Sequence, residues 1–577
     1  MTLPVIAASL FFLAQTANGT IEGTVVNATT NKPIPGAQVS GLKVPTPPPP
    51  GAGTVTTQIP TGVFAVGRPR PDIPSVTTDS NGHFVFQNLE PGTYMLNAAA
   101  DGYARQQYGR LRGGQTGISI SINIAGGQAV KDVLFHLVPA GNVSGRVTGQ
   151  SGQPAVGIEI LLLRSMYDAG GRKTFQQAAT GRTDDRGEYR LFWVPPGRYY
   201  LSAGSSSRPL PGFNPFPMPG NNKYARTFYP GTTDPSAAVA IDIEPGGEVG
   251  GMDFRLNEQA TYRVRGRVVD STTGQIPRNV SISITPRDPI IMAGTSSTGS
   301  PYNGADGTFE LRDVPSGSYW IHAQLPPTTR FQPGSPPPRP PMAVASIDVA
   351  GADVDGVVLT VLPPMSISGR IRMDGQSSAS GLQGTSITLG PALPGFVPAP
   401  PPPPARPNAE GAFQMDGVVP GEYRVNVIGL QSVGQQSNVY LKEARFGSID
   451  VLSQPLLISG PVSDQLEIVL GQNSGQISGT VLDERQQPLS TVQVVLVPDL
   501  RERRDLYKFA ATDTNGHFTL RPIPPGTYRL FASEDLEGNA IFDPDVMRRL
   551  EQNAKLVNVV ESSNVTVELK VTPTIGR

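Results

Sequence analysis

Thr78–Tyr94 reads TDSNGHFVFQNLEPGTY, and the pattern returns at Thr183–Tyr199 (TDDRGEYRLFWVPPGRY) and Thr512–Tyr528 (TDTNGHFTLRPIPPGTY). Looser copies run over Asn303–Tyr319 (NGADGTFELRDVPSGSY) and Pro407–Tyr423 (PNAEGAFQMDGVVPGEY). Repetition at fixed length marks one supersecondary unit used several times. Within the stretch, Asn81-Gly82 and Asn515-Gly516 are tight-turn pairs, since Gly tolerates positive φ and Asn tolerates it better than most residues. Apolar residues then alternate with mostly polar ones: Phe84 and Phe86, Tyr189 and Leu191, Phe309 and Leu311, Phe413 and Met415, Phe518 and Leu520. That period predicts a strand with one buried face, and the whole stretch reads as a hairpin. A second turn leads into a strand opened by a tyrosine: Tyr94, Tyr199, Tyr319, Tyr423 or Tyr528. Such a ring at a strand entrance suggests a tyrosine corner, with its hydroxyl bonded to nearby backbone. These tyrosines and the turn glycines Gly82, Gly187, Gly307, Gly411 and Gly516 are the structural markers of the repeat.

Upstream of each stretch stands an opening strand of the form G-x-[IV]-x-G-x-V or a near variant: GTIEGTV from Gly19, GNVSGRV from Gly141, RVRGRV from Arg263, MSISGRI from Met365 and GQISGTV from Gly475. Its central glycine, Gly23, Gly145, Gly266, Gly369 or Gly479, predicts a bulge or a close backbone approach. A Pro/Gly turn and a second apolar strand follow, such as Ile158–Leu163 or Val492–Val497. Downstream come a crossover, a short strand such as Ile122–Ile124 or Ile241–Ile243, and a closing alternating strand such as Val133-Phe135-Leu137 or Val565-Val567-Leu569. About seven short strands per unit predict an all-β chain, a tandem array of five seven-stranded Greek-key β-sandwiches. The expected boundaries are 19–138, 139–257, 258–362, 363–471 and 472–577. Short linkers such as Val138-Pro139-Ala140 and Leu362-Pro363-Pro364 predict closely stacked neighbours.

The chain has 577 residues and a formal net charge of −1, so it carries neither a nucleic-acid footprint nor an acidic tail. It has no Cys, which excludes disulfides and thiolate metal sites. Its 65 Gly and 59 Pro lie well above average usage and fit a turn-rich β architecture. Residues 1–18 read as a signal peptide, with an apolar run from Leu3 to Leu13 and cleavage near Thr16 or Ala17. No later run is long and apolar enough to span a bilayer as a helix. Pro45–Pro50, Pro333–Pro341 and Pro398–Pro407 favour extended polyproline conformation and are expected to act as loop stiffeners or solvated insertions. Asp543-Pro544 reads as the cap and first residue of a short helix reaching about Asn553, with Val546, Met547 and Leu550 inward.

No catalytic constellation is present. The four histidines, His83, His136, His322 and His517, fall in no zinc-peptidase spacing, and there is no G-x-S-x-G elbow. Asp79-x-Asn81-Gly82 and Asp513-x-Asn515-Gly516 start like calcium loops but lack the closing Glu, so turn capping is the expected role. No cofactor is expected. The candidate ligand-binding residues lie in the crossovers: Tyr103, Arg105 and Tyr108, then Tyr224, Arg226, Phe228 and Tyr229, rings that could stack on sugars beside arginine donors. The competing expectation is that they plug the open end of a sandwich. The fourth repeat has a looser version, Tyr440-Leu441-Lys442 with Arg445-Phe446, and Trp193 and Trp320 are expected in or beside cores.

With these motifs in view, the chain resembles the carboxypeptidase regulatory-like domain family, which carries G-x-[IV]-x-G-x-V, P-[IV]-x-G-A-x-V and T-D-x-x-G-x-[FY]-x-[FL]-x-x-[IVL]-x-P-G-x-Y. The first repeat matches all three through GTIEGTV, PIPGAQV from Pro33 and Thr78–Tyr94, while the third and fourth lose the Thr-Asp pair. The resemblance implies a transthyretin-like, carbohydrate-binding-like sandwich and no catalysis by the domain itself. Adhesin modules of the Cna-B type carry an isopeptide-forming Lys on the opening strand; here Glu22, Ser144, Arg265, Ser368 and Ser478 stand there, so no such crosslink is expected. The resulting expectation is an exported, non-enzymatic, monomeric spacer and interaction protein of the periplasm, outer-membrane surface or extracellular space, with glycans or envelope proteins as partners. Polysaccharide binding by the crossover aromatics is the first alternative, and an accessory subunit of a secreted peptidase the second.

Overall fold

The opening strand of each repeat lies at the centre of a sheet because its glycine lets two neighbours close in. The structure, a computed structural model, describes residues 18–44, 73–108, 122–168, 170–204, 224–287, 297–298, 302–326, 339–376, 382–392, 401–430, 438–490, 492–513, 515–533, 536 and 538–572. The Leu3–Leu13 run, Pro45–Pro50, most of Pro333–Pro341 and the start of Pro398–Pro407 lie outside these residues. The chain divides into two compact units, one of Met1–Leu163, Ala178–Gly204 and Arg226–Leu256, the other of Arg164–Gln177, Ser205–Ala225 and Asn257–Arg577.

In the first unit, the first repeat comprises β1 (Gly19–Asn27), β2 (Gln38–Val44), β3 (Ile73–Thr77), β4 (His83–Leu89), β5 (Gly92–Ala99), the two-residue β6 (Gln106–Gln107), β7 (Ile122–Ile124) and β8 (Ala129–Leu137). One sheet has the order β4-β1-β8, the other β3-β2-β5-β6 with β7 also on β5. β1 runs antiparallel to β4 and parallel to β8. Ile21, Val25, Phe84, Phe86 and Phe135 of the first sheet and Val39, Tyr94, Leu96 and Ala98 of the second form one buried cluster. The second repeat, of which Arg164–Gln177 belongs to the second unit, repeats this plan with β9 (Gly141–Thr148), β10 (Glu159–Tyr167), β11 (Lys173–Arg182), β12 (Glu188–Val194), β13 (Gly197–Gly204), β14 (Thr227–Phe228), β15 (Ile241–Ile243), β16 (Glu248–Val249) and β17 (Phe254–Arg255). Its sheets are β12-β9-β16, with β17 farther along β9, and β11-β10-β13-β14, with β15 on β13.

In the second unit, the third copy again has two sheets, Thr308–Pro315, Thr261–Asp270 and Val354–Val361 in one, Ser297–Thr298, Ser281–Pro286, Gly317–Gln324 and Met342–Val349 in the other. In the fourth copy the crossover Tyr440–Phe446 becomes a strand bonded to Leu466–Gly471, widening the first sheet. In the fifth, Ala532 and Ser533 pair with Val571 and Thr572, so the two sheets join into one wrapped sheet. The helix forms over Pro544–Glu551 as expected, with the Asp543 carboxylate accepting from Asp545 N and Val546 N. Met547 and Leu550 are buried against Val495, Val497 and Phe531, and Val546 and Tyr167 pack on the same cluster.

The expected hairpin across Asn81-Gly82 does not form. β3 bonds to β2 and β4 to β1, so the turn carries the chain from one sheet to the other, and the Pro91-Gly92 turn carries it back to β5. Thr78 explains the arch. Its hydroxyl, buried, accepts from Ala37 N (2.9 Å) and donates to the Ile34 carbonyl (2.7 Å), fastening the turn to the loop between β1 and β2. Asp79 Oδ1 accepts from Asn81 N (2.8 Å) and His83 N (2.9 Å), which shapes the turn without a paired strand. Thr183 and Asp184, and Thr512 and Asp513, repeat both devices. Asn408 keeps the turn in the fourth copy, accepting from Glu410 N and Ala412 N.

The tyrosine corner forms in all copies. The hydroxyls of Tyr94, Tyr199, Tyr319, Tyr423 and Tyr528 donate to the carbonyls of Glu90, Pro195, Pro315, Val419 and Pro524 at 2.8, 2.7, 3.0, 2.8 and 2.8 Å, each four residues back. Tyr94, Tyr423 and Tyr528 each lie in a separate core cluster, and Tyr319 packs half-buried against another. The central glycines sit where a Cβ has no room: one on Gly23 would lie 1.9 Å from the Val133 carbonyl oxygen, and one on Gly479 1.9 Å from that of Val567. Tyr94→Phe should lose the donor to the Glu90 carbonyl and destabilise the first repeat by about 1–2 kcal/mol. Gly23→Ala must push β1 off β8 and should destabilise it by about 3 kcal/mol. Amide hydrogen exchange in β1, β4 and β8 of the full chain reads both, and equal protection in the two variants would contradict this ranking.

Candidate functional site

The crossover between β5 and β7 packs aromatic residues on its own core, and its backbone pairs with the segment that leads to the next repeat. Tyr103 makes a bridge to Pro139, and its hydroxyl accepts from Asn27 Nδ2 at 3.2 Å. Ala104 N donates to the Val138 carbonyl (2.9 Å) and Ala140 N to that of Gly102 (2.8 Å), so the expected linker Val138-Pro139-Ala140 is held at both ends by this one segment. Tyr108, half-buried, sets its ring edge-on to Phe135 at 5.7 Å, while Arg105 is exposed. The corresponding Tyr224 bridges to Glu258, and Ala225 N donates to the Asn257 carbonyl at 3.1 Å.

Arg226 is committed to an ion pair with Glu159 (2.9 Å) and contacts Ser202 Oγ (3.3 Å). Burial pulls its pKa below the usual guanidinium range despite the Glu159 carboxylate. Phe228 is buried on β14, and Tyr229 lies edge-on to Phe254 at 6.1 Å. The structure thus distributes the candidate residues over two crossovers and puts most of their polar and aromatic groups in packing contacts.

Trp193 corrects an expectation. Alternation from Tyr189 and Leu191 points it into the core, yet it is 61% exposed beside Phe192 at 58%. The register explains this: Leu191 pairs with Val143 and Val194 with Gly141, so Phe192 and Trp193 together oppose Asn142 in a β-bulge. The extra residue shifts the phase by one and buries Val194 instead. The bulge recurs in every copy, with the positive-φ residue being Asn88 (59°), Asp313 (57°) or Gly417 (77°) in the first, third and fourth. A tryptophan at φ 55° is the exception in that column. Comparing the repeats position by position would have singled it out. Trp320 is half-buried, with the Arg287 guanidinium 5.2 Å from its ring centre.

Among the described residues, no three His, Cys, Asp or Glu side chains converge as metal ligands. The Asp79, Asp184 and Asp513 carboxyls lie below the ordinary carboxylate range, chiefly because the backbone N–H of His83, Glu188 or His517 donates to them. Of the histidines, His322 is buried, with Nε2 3.1 Å from Thr285 Oγ1.

The carboxypeptidase regulatory-like domain family matches residues 20–125 and 476–540, the first and fifth copies. No curated protein matches the chain in sequence. Solved structures similar to it include the Bacillus anthracis TIE protein, at 10% identity over 74% of this chain and 73% of that one with a TM-score of 0.16. GBS52, the minor pilin of Streptococcus agalactiae, is similar at 12% identity over 42% of this chain and 97% of that one, with a TM-score of 0.21. The full-length RrgB pilus protein of Streptococcus pneumoniae is similar at 7% identity over 76% and 98%, with a TM-score of 0.15.

Two outcomes follow from these environments. Arg226→Ala strands the Glu159 carboxylate and should destabilise the second repeat by about 3 kcal/mol, seen as faster exchange of β10 and β13 amides. Burial lowers the His322 pKa from 6.5 to about 4. The unfolded chain therefore takes up the proton first, so this stabilisation is complete above about pH 6.5 and is lost as pH falls toward 4. The loss is on the order of 3 kcal/mol. His322→Gln should flatten that part of the pH profile, measured by denaturant unfolding of the full chain at pH 7 and pH 4.5.

Proposed function

We propose that the chain is an exported, non-enzymatic protein whose repeats fold as five successive domains and act as spacer and interaction modules in the cell envelope or outside it. The observation carrying this reading is that the residues repetition marks most strongly are spent on architecture. The five tyrosines close arches, the glycines admit neighbouring strands, and the Thr-Asp pairs fasten turns. The crossovers support it too, since Tyr103, Tyr108, Tyr224, Arg226, Phe228 and Tyr229 brace a linker or a core, and of the seven candidates Arg105 alone is exposed. Clamped linkers suit a protein that must hold successive modules at a set spacing. The apolar Leu3–Leu13 run is the basis for export. No described helix is long and apolar enough to cross a membrane.

The partner classes that fit are glycans and other envelope proteins. Cell fractionation, with protease added to intact cells, tests the reading. The chain should be recovered outside the cytoplasm, beginning near residue 18, and purified chain should hydrolyse neither peptide nor glycoside chromogenic substrates. Recovery in the cytoplasm with residues 1–17 intact, or turnover of either substrate that co-purifies with the chain, would overturn it.

A further inference from the structure

Four of the five bulges carry polar, small or conformationally suited pairs: Gln87-Asn88, Arg312-Asp313, Asp416-Gly417 and Arg521-Pro522. The second repeat alone places two large rings there, and places them in water. A bulge puts two consecutive side chains on the same side of a sheet where simple alternation would bury one. Phe192 and Trp193 accordingly share the solvent face of β12, both opposite Asn142. Neither burial nor backbone preference accounts for this choice. Solvation disfavours both rings, and a bulky residue in the left-handed region is strained, a condition that persists mainly where it serves a site.

What surrounds the rings identifies the ligand. The Arg190 guanidinium lies over the Phe192 ring, 5.1 Å from its centre, and donates to Glu248 Oε1 at 2.9 Å. Asn142 Nδ2 reaches the same Glu248 oxygen at 3.5 Å. The guanidinium thus occupies one face of Phe192, and a carboxylate and a primary amide stand beside the rings; all three groups pair with vicinal hydroxyls as donor or acceptor. The Arg190–Glu248 pair cancels its own charge, which disfavours an anionic ligand. Two rings are too small an apolar area for the core of a stable protein interface, and match the axial C–H face of one or two sugar rings. We propose that Phe192, Trp193, Arg190, Glu248 and Asn142 form a stacking site for a neutral pyranose polysaccharide on the outer face of the β12-β9-β16 sheet.

This site gives the interaction reading a ligand class, and its test is independent of export because it uses purified protein. The chain has only two tryptophans, so Trp320→Phe leaves Trp193 as the single reporter. Native gels containing soluble cellulose ether, laminarin, xylan or dextran, run beside fluorescence titrations with the same polymers, provide two readouts. At least one polymer should retard the full chain and shift Trp193 emission to the blue. Trp193→Asn places in the second repeat the residue that the first repeat carries at its bulge, and Asn accepts positive φ. It should leave the thermal midpoint unchanged or higher while weakening retardation at least tenfold, and Phe192→Gln should weaken it in the same direction. Retardation by none of the polymers, or undiminished retardation of a folded Trp193→Asn chain, would sink the proposal. So would a Trp193 blue shift given by a synthetic proline-rich peptide of sequence 398–407 and by no polysaccharide, which would assign the rings to peptide recognition.

Discussion

A single hydrogen bond, from a core-facing phenol to the carbonyl four residues behind it, recurs in every copy and holds the rest of each repeat in place. The chain crosses from one sheet to the other at the Pro-Gly turn, where no ladder bonds fix its path. A tyrosine at the entrance to the next strand solves this by sinking its ring between the sheets and catching the turn's own backbone with its hydroxyl. Burial raises the pKa of the Tyr319, Tyr423 and Tyr528 phenols, as expected for hydroxyls that stay protonated donors inside a core. The opposite crossing is held by Thr78, Thr183 or Thr512, a buried hydroxyl used both as donor and as acceptor.

With both crossings secured, the outer strands are free to vary. The third copy lacks the Thr-Asp pair but retains a turn, in which the Asn303 side chain accepts from Ala305 N and that of Asp306 from Thr308 N. The fourth turns its crossover into a strand along Leu466–Gly471, and the fifth joins its sheets through Ala532 and Ser533. None of these changes touches the opening strand, whose glycine leaves no space for a side chain. Variation collects where the backbone is exposed, and the bulge next to the second turn is one such place. A bulge stands there in every copy, and in the first three its side chains face water, so they can be exchanged for a surface purpose without disturbing the core.

Much of this is legible in the chain of residues alone. Repetition, period-two alternation and turn chemistry are local properties, and they sufficed for strand positions, for the tyrosine corner, for the tight glycines and for the Asp543-capped helix. They did not reveal which strand bonds to which. A turn shaped by Asp79, Asn81 and Gly82 has the same local chemistry whether it closes a hairpin or arches between sheets, and the decision falls to Thr78 reaching Ile34 and Ala37, more than forty residues away.

The crossovers and the bulge show the same division. The sequence by itself determined a multi-copy, all-β chain with core-facing tyrosines, because those features follow from composition and spacing. Only the tertiary structure decided that Tyr103 and Tyr224 grip the segments leading to the next repeat, that Arg226 serves Glu159, and that Trp193 faces outward. The physical reason is that a strand's period tells which residues share a face only until a residue is inserted. Whether one is inserted depends on the register against β9, a partner about fifty residues distant in the chain.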